Sequence, residues 1–487
     1  MNVAIVGAGV SALACAVALK EKGLPFTVFE SGPAAGGKLR TEEIDGFTVE
    51  AGPDSFLPEK YWTVDLIERV GLADDLLPTN EEHKGTYIYS AGRLHRLPEG
   101  VMLMVPTMVM PLLRSRLISW PGKLRMGMEL FIPAKKDASD ESLARFVTRR
   151  LGGECLEKIA EPLVAGIHTS DPDDMSVKAV FPRFVEMERT RGSLIRAMVG
   201  AAKKRPARQS AGGEAGGGAD GSGGRRPMTY FMSLKGGMGQ LGDACVAFAG
   251  REHFRTSCEV VRLSKTPGGY EVEAGGERRA FDAVVLSTPS YVTRRIVADM
   301  APALAGLLDA IEWSSTATVS LAFDEKEAPP RLPGFGFIVP RVEGRRINAA
   351  TWSSIKWRHR APAGRLLVRA FVGGAGRADL VERDDAGIVR IAAEELAEIA
   401  GITAKPLFAR VYRWPRSMPR YTVGHLDRVA AIDRLAGAYP GLYLIGSSLR
   451  GIGIGDCVKS GLEAAAKLSE AVSNASSFFQ IPQEEAP

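Results

Sequence analysis

The sequence predicts an α/β chain in three parts: a parallel-sheet nucleotide-binding unit, a second unit on a mixed, largely antiparallel sheet, and a helical subdomain. Three observations predict it. The chain opens on "NVAIVGAGVSALACAVALKEKG", an apolar run, a glycine-rich turn and an apolar helical stretch. It nearly closes on the same pattern, "GLYLIGSSLRGIGIGDCVKSGLEAAAKL" at 441–468. Between them, strand-like stretches such as "TATVSLAF" and "RLLVRAFV" follow a long region of helical periodicity.

In chain order, residues 2–6 read as a buried parallel strand. "GAGVSA" turns the chain, a helix over 13–22 ends at Gly23, and "FTVFE" is the next strand, which completes a βαβ unit. A helix is expected over 61–77, and "GTYIYSAGRLHRLP" reads as two short strands about a Ser-Ala-Gly turn. Residues 100–200 are helical in pattern, with breaks expected at Pro106, Pro111, Pro121, Pro133 and Gly152-Gly153. "ARQSAGGEAGGGADGSGGRRP", 207–227, is nearly free of apolar residues and reads as a linker. "YEVEAGGERRAFDAVVLSTP" is a hairpin followed by a buried strand.

Composition narrows the function. Of 487 residues, 45% are hydrophobic, enough for a large core. Lys and Arg total 62 against 57 Asp and Glu, which is not the concentrated basic footprint of a nucleic-acid binder. The cysteines at 15, 155, 245, 258 and 457 form no closely spaced pair, so no metal site is expected, and free thiols fit a reducing, cytoplasmic setting. No signal peptide is read at the start. The longest apolar run, 101–113, holds 13 residues and two prolines. A spanning helix needs about 20.

Gly7, Ala8, Gly9, Val10, Ser11 and Ala12 match G-x-G-x-x-G/A. The first glycine permits the tight turn, the second lets backbone approach a pyrophosphate, and the helix start supplies N–H donors and the positive end of its dipole. Glu30, 21 positions after Gly9, ends the second strand where it accepts from ribose hydroxyls. A second cradle follows in "ESGPAAGGKLRT" and "EAGPDSF", with Gly36, Gly37, Lys38, Gly52, Pro53, Asp54 and Ser55. It suits a cofactor longer than an adenine dinucleotide headgroup.

With these residues in place, the sequence resembles the flavoprotein oxidases that include monoamine oxidases, carotenoid desaturases and protoporphyrinogen oxidases. Gly36, Gly37, Lys38 and Thr41 match that family's E-x(5)-GG-[RK]-x-x-[ST] segment. The resemblance implies a Rossmann-like domain holding FAD non-covalently. It adds Ser31, Val260, Trp414, Ser447, Ile452, Gly453 and Ile454 to the FAD set. The domain is expected from 1–84, 228–290 and 415–475. A helical, substrate- or membrane-facing region is expected over 85–205, a linker over 206–227, a substrate sheet over 291–414 and a tail over 476–487.

Three segments narrow the resemblance to protoporphyrinogen and coproporphyrinogen oxidases: "EPLVAGIHTSDPDDMSVKAVFP", "WPRSMPRYTVGHLDRV" and "RGIGIGDCVKSG". Ala12 and Ser170 stand where glycine is commoner. His83-Lys84-Gly85 stands where plant and animal members place an arginine. The implied reaction removes six electrons from a porphyrinogen in three flavin cycles, with dioxygen as acceptor. No catalytic acid or base is assigned. The tetrapyrrole would need an apolar slot with a cationic rim. The candidates are Val164 to Ile167 (with Gly166 allowing close approach), His168 and Met175 for the slot, and Lys178, Arg183, Arg189 and Arg191 for the rim. Four propionates would favour such a rim, so coproporphyrinogen is the expected substrate. "VMLMVPTMVMPLLRSR" falls where relatives form a membrane-facing entrance, although a buried helix pair fits equally. The rival readings are an amine oxidase of the same fold and a non-enzymatic binding protein on this scaffold.

Overall fold

The computed structural model describes residues 1–102, 105–106, 108–204, 228–328, 333–374 and 376–477. The linker expected over 206–227 and most of the 476–487 tail lie outside the described residues.

The opening strand, Val3–Val6, is buried along its whole length, as a strand covered on both faces must be. It is the middle of a five-stranded parallel sheet. Phe26–Phe29 pairs with it on one side and Ala283–Leu286 on the other, and Phe254–Arg255 and Leu442–Leu444 form the edges. Strands from the start, middle and end of the chain therefore share one sheet.

The first helix is Val10–Glu21, and it starts earlier than its apolar pattern predicts. Gly9 is the N-cap with extended backbone, so the turn needs only Gly7 to Gly9. The C-terminal helix, Ile454–Ser477, crosses this first helix at Gly461, where a Cβ would lie 2.1 Å from the Ser11 carbonyl oxygen.

The second sheet has seven strands in the order Phe408–Pro419, Trp313–Asp324, Arg365–Gly373, Ala349–Trp352, Gly336–Ile338, Tyr87–Ser90 and Arg93–Arg96. All neighbours are antiparallel except Phe337 with Tyr87. The Tyr87–Ser90 hairpin, grouped with the helical region by sequence, thus extends the sheet. The helix Asp385–Ala400 packs on it through Ile388, Ile391, Ala392, Leu396 and Ile399. Asp384 caps that helix, accepting from the Gly387 N–H at 2.9 Å.

The helix expected over 61–77 is shorter. It runs Trp62–Arg69 and stops before Gly71, whose φ is +80°. Leu76–Pro78 is instead a strand, paired with Met232–Leu234. Long-range pairing overrides local periodicity here.

The helical subdomain covers much of 109–204. Pro121 does not break a helix: it sits in the first turn of Trp120–Gly127, where its missing N–H costs nothing. The expected helical pattern fails at Val101–Met102 and Val105–Pro106, which form a short two-stranded ladder. Beneath the helices Arg150 and Glu129 form a fully buried ion pair. Glu129 also accepts from the Leu194 N–H at 2.8 Å, and Arg150 donates to the Ile132 carbonyl at 2.9 Å. Charges are tolerated at this depth because each is bonded on several sides.

Candidate functional site

A cavity of about 320 Å³ opens at the carboxyl ends of the parallel strands. Such a crevice is where ligands bind in open α/β sheets. Gly7, Ala8, Gly9, Val10 and Ser11 form one wall at the start of the first helix. No side chain caps this helix and no acid lies in its first turn, so the N–H donors of that turn have no side-chain partner. A Cβ built on Gly9 meets nothing within 4 Å. It points into the space an anion would take. The turn's other glycines answer to the fold: Gly7 has φ +89°, and a Cβ on Gly37 would come 3.0 Å from the Gly9 Cα.

Glu30 lies at one end of the cavity with Ser31, Glu259 and Val260. Its carboxylate accepts from the Ala8 N–H at 2.8 Å and the Gly32 N–H at 2.7 Å, which fixes its orientation beside the glycine turn. Lys38, Pro53, Trp313, Ser447, Ile452, Ile454 and Cys457 also line the cavity. The Lys38 ammonium donates to the Ser417 carbonyl, and burial pushes its pKa down.

Of the FAD residues expected from sequence, Gly7, Ala8, Gly9, Val10, Ser11, Glu30, Ser31, Gly37, Lys38, Pro53, Val260, Ser447, Ile452 and Ile454 line this cavity. Ala12, Gly52, Asp54, Ser55, Trp414 and Gly453 stand outside the lining. Most of these stand behind Pro53. Asp54 accepts from Lys356 and the Trp357 indole, both at 3.0 Å. Burial acts most strongly on Asp54 and would raise its pKa. Lys356, Arg369 and the hydrogen bonds of Trp357 and Ser55 outweigh it and hold the carboxyl well below its ordinary range. Trp414 and Arg369 donate to the Ala51 carbonyl at 2.8 and 3.2 Å. A Cβ on Gly52 would collide with the Lys38 carbonyl at 1.8 Å. These residues fasten the 51–55 turn to the second sheet and leave its proline facing the cavity.

Sequence reasoning missed Ser287, Thr288, Pro289, Trp313, Arg295 and Cys457 in the lining. The first three follow the strand Ala283–Leu286 within "LSTP", and that adjacency was the available signal. Trp313 carried none, because it arrives from the second sheet.

The slot residues Gly166, Ile167 and His168 lie on the helix Glu161–His168, but their side chains fall outside the described residues. Val164 and Met175 are buried in the subdomain core, not on a slot. Arg189 is exposed and already paired with Glu186 at 2.8 Å. Lys84 is likewise paired with Glu81 at 3.0 Å.

The family model for flavin containing amine oxidoreductases matches residues 10–469. The chain is 34% identical to the coproporphyrinogen III oxidase of Bacillus subtilis, over 95% of this chain and 97% of that protein. It is 28% identical to a chloroplastic protoporphyrinogen oxidase of Nicotiana tabacum, over 96% and 85% respectively. The crystal structure of an Exiguobacterium protein superposes with a TM-score of 0.83 at 30% identity, over 96% of this chain and 99% of that one. The chain belongs to the flavin containing amine oxidoreductase family. It is an oxidoreductase, and its cofactor is FAD. The uncapped helix start and the open space at Gly9 fit the pyrophosphate of that cofactor.

Two outcomes are expected. Gly9 has φ −74°, which any residue adopts, so Gly9→Val should fold yet block the anion site and purify with little or no flavin. Full flavin content would place the pyrophosphate elsewhere. Burial, reinforced by Arg428 and Arg450, lowers the pKa of His425 from 6.5 to about 4. A neutral His425 stabilises the fold fully above pH 6.5, and that contribution is lost as pH falls toward 4. The wild type should therefore lose on the order of 3 kcal/mol more than His425→Gln across this window in denaturant melts.

Proposed function

We propose that the protein is a porphyrinogen oxidase of haem biosynthesis that oxidises coproporphyrinogen III, with dioxygen as the final acceptor. One observation carries the reading. Three relatives named coproporphyrinogen III oxidase match nearly the whole chain at 32–34% identity, above the plant protoporphyrinogen oxidases at 27–29%. FAD supplies the hydride-accepting chemistry when bound. The chain's own residues supply the cradle for its phosphates, the orienting carboxylate of Glu30, and a wall that includes Pro53 and Trp313. No side chain is assigned as acid or base. Five free cysteines favour the reducing cytoplasm. Amine oxidation receives less support: putrescine oxidase shares the fold at 17% identity, which speaks to the fold alone.

Lys178, Arg183 and Arg191 form no ion pair among the described residues and remain the rim candidates for propionates. Mixed anaerobically with each substrate, the holoenzyme should show faster flavin bleaching by coproporphyrinogen than by protoporphyrinogen. The preference should narrow as salt screens the rim. Equal or faster reduction by protoporphyrinogen at every salt concentration would overturn the substrate assignment. No flavin reduction by either would overturn the reaction.

A peripheral membrane contact belongs to the same proposal. Among the described residues no helix is long and apolar enough to cross a membrane. Yet Trp120, Leu124 and Phe131 are 69%, 71% and 82% exposed, with Met108, Met110 and Met128 also exposed. Trp120, Leu124 and Met128 recur at helical spacing, one face of an amphipathic segment. Residues 101–128 contain no Asp or Glu but do contain Arg114, Arg116, Lys123 and Arg125. The apolar surface thus extends past the 101–116 run expected from sequence. The protein should co-sediment with vesicles containing anionic lipid, and Trp120→Ser with Leu124→Ser should release it. Wild-type protein left in the supernatant would exclude the contact.

A further inference from the structure

The segment 420–425 lies within one of the signature stretches and carries a buried aromatic pair. Tyr421 and His425 are both buried, and their rings stack with centroids 4.0 Å apart and planes 14° apart. Tyr421 donates its hydroxyl to the Ser447 carbonyl at 2.6 Å. The His425 Nε2 lies 2.9 Å from the Leu449 carbonyl. A carbonyl can only accept, so His425 carries its proton on Nε2. Its Nδ1 is buried with no partner among the described residues, as expected for the lone-pair nitrogen of that tautomer.

Both bonds act on the loop that brings Gly446, Ser447, Ser448 and Ile452 to the cofactor cavity. In a trans peptide the C=O and the following N–H point in opposite directions. Pinning the Ser447 carbonyl to Tyr421 therefore turns the Ser448 N–H away from Tyr421. Pinning the Leu449 carbonyl to His425 does the same for the Arg450 N–H. A second contact holds the same loop from the other side: the Ser290 N–H donates to Ser448 Oγ at 3.1 Å, and Ser290 Oγ accepts from the cavity residue Trp313 at 2.9 Å.

We propose that Tyr421 and His425 are positioning residues that clamp the 447–449 backbone and thereby set both the FAD affinity and the flavin reduction potential. The clamp acts on the flavin through the loop and touches neither substrate nor cofactor itself. The inference rests on the loop facing the flavin, and it holds whichever porphyrinogen is oxidised. Amide dipoles held in fixed directions stabilise charge without reorganising. A loosened loop should therefore disfavour the anionic reduced flavin more than the oxidised form.

Tyr421→Phe and His425→Phe each keep the stacked rings and delete one hydrogen bond. Each should speed FAD release from the holoenzyme about fivefold, the worth of one such bond. Each should also shift the midpoint potential to more negative values by about 20 mV, a fivefold change in relative affinity for a two-electron couple. His425→Gln, which can still donate, should stay near wild type. A folded variant that purifies without FAD is the same result at its extreme. Unchanged release rate and potential in both phenylalanine variants, even with a lower melting temperature, would reduce the pair to core packing and overturn the proposal. Hydrogen exchange of the wild type separates the underlying reading. If FAD gives amides 447–452 no protection, the loop does not face the flavin, and that reading fails first.

Discussion

The structure depends on one close crossing of two helices. Gly461 of the C-terminal helix lies against the Ser11 backbone of the first helix, where a side chain would overlap the Ser11 carbonyl at 2.1 Å and crowd the Cys15 nitrogen at 3.0 Å. Only glycine allows that approach. The crossing sets the C-terminal glycine loop beside the N-terminal one, and Ser460 ties them further: its Oγ accepts from the Gly446 N–H at 3.2 Å and lies 3.5 Å from Ser11 Oγ. One chain builds the strand–loop–helix pattern twice because each copy supplies one wall of the same cavity. The middle of the chain supplies another through Ser287, Thr288 and Pro289. A second close approach, Gly242 against the Gly36 Cα at 3.3 Å, seats the Gly239–Ala249 helix under the second glycine turn.

Electrostatics divide the site into two functions. At the first helix the chain leaves the first-turn N–H donors without a side-chain cap, which a phosphate-bearing cofactor satisfies. Behind Pro53 the charges are instead matched within the protein. Asp54 meets Lys356, and Glu50 meets Arg360 at 3.3 Å while accepting from the Met238 N–H at 2.8 Å. Burial raises the Glu50 pKa, with Arg360 and the hydrogen bonds opposing it. Removing one partner of such a pair leaves an uncompensated charge, which costs far more than an exposed ion pair is worth. The inner cluster is therefore a fastening between the 50–54 segment and the seven-stranded sheet, and the cavity face of the turn is left free for ligand.

This division explains what could be read from the sequence. Gly7, Gly9, Glu30 and Gly37 were legible because a phosphate cradle needs fixed spacing within one βαβ unit. Asp54 is expected at the cofactor because it sits in the glycine turn "EAGPDSF". Its buried cations, Lys356 and Arg369, lie some three hundred positions away, where local reading does not reach. Trp313 was hidden for the same reason. The helix expected over 61–77 failed because Leu76–Pro78 answers to a strand at Met232–Leu234. The apolar face at Trp120, Leu124 and Phe131 was hidden because periodicity alone does not say which face of a helix is covered.

The 420–425 segment shows how the two ends of the molecule are mechanically joined. On one side its backbone is bonded to the helical subdomain: the Ser176 N–H donates to the Tyr421 carbonyl at 2.8 Å, and the Val423 N–H donates to the Asp174 carbonyl at 2.9 Å. The Gly424 N–H adds a bond to Asp140 at 3.0 Å, and the same carboxylate accepts from Ser176 Oγ at 2.6 Å. On the other side Tyr421 and His425 grip the 447–449 backbone. The segment directly after the candidate slot helix is thus two hydrogen bonds from the loop lining the cofactor cavity. Tyr421, His425 and Ser176 are buried and hydrogen-bonded, so a displacement of that segment is passed on to the 447–449 backbone. The 174–176 backbone and the cofactor-cavity loop are therefore linked through this segment. That gives a physical reason for the signature around Tyr421 to be a continuous run and not a few scattered contacts.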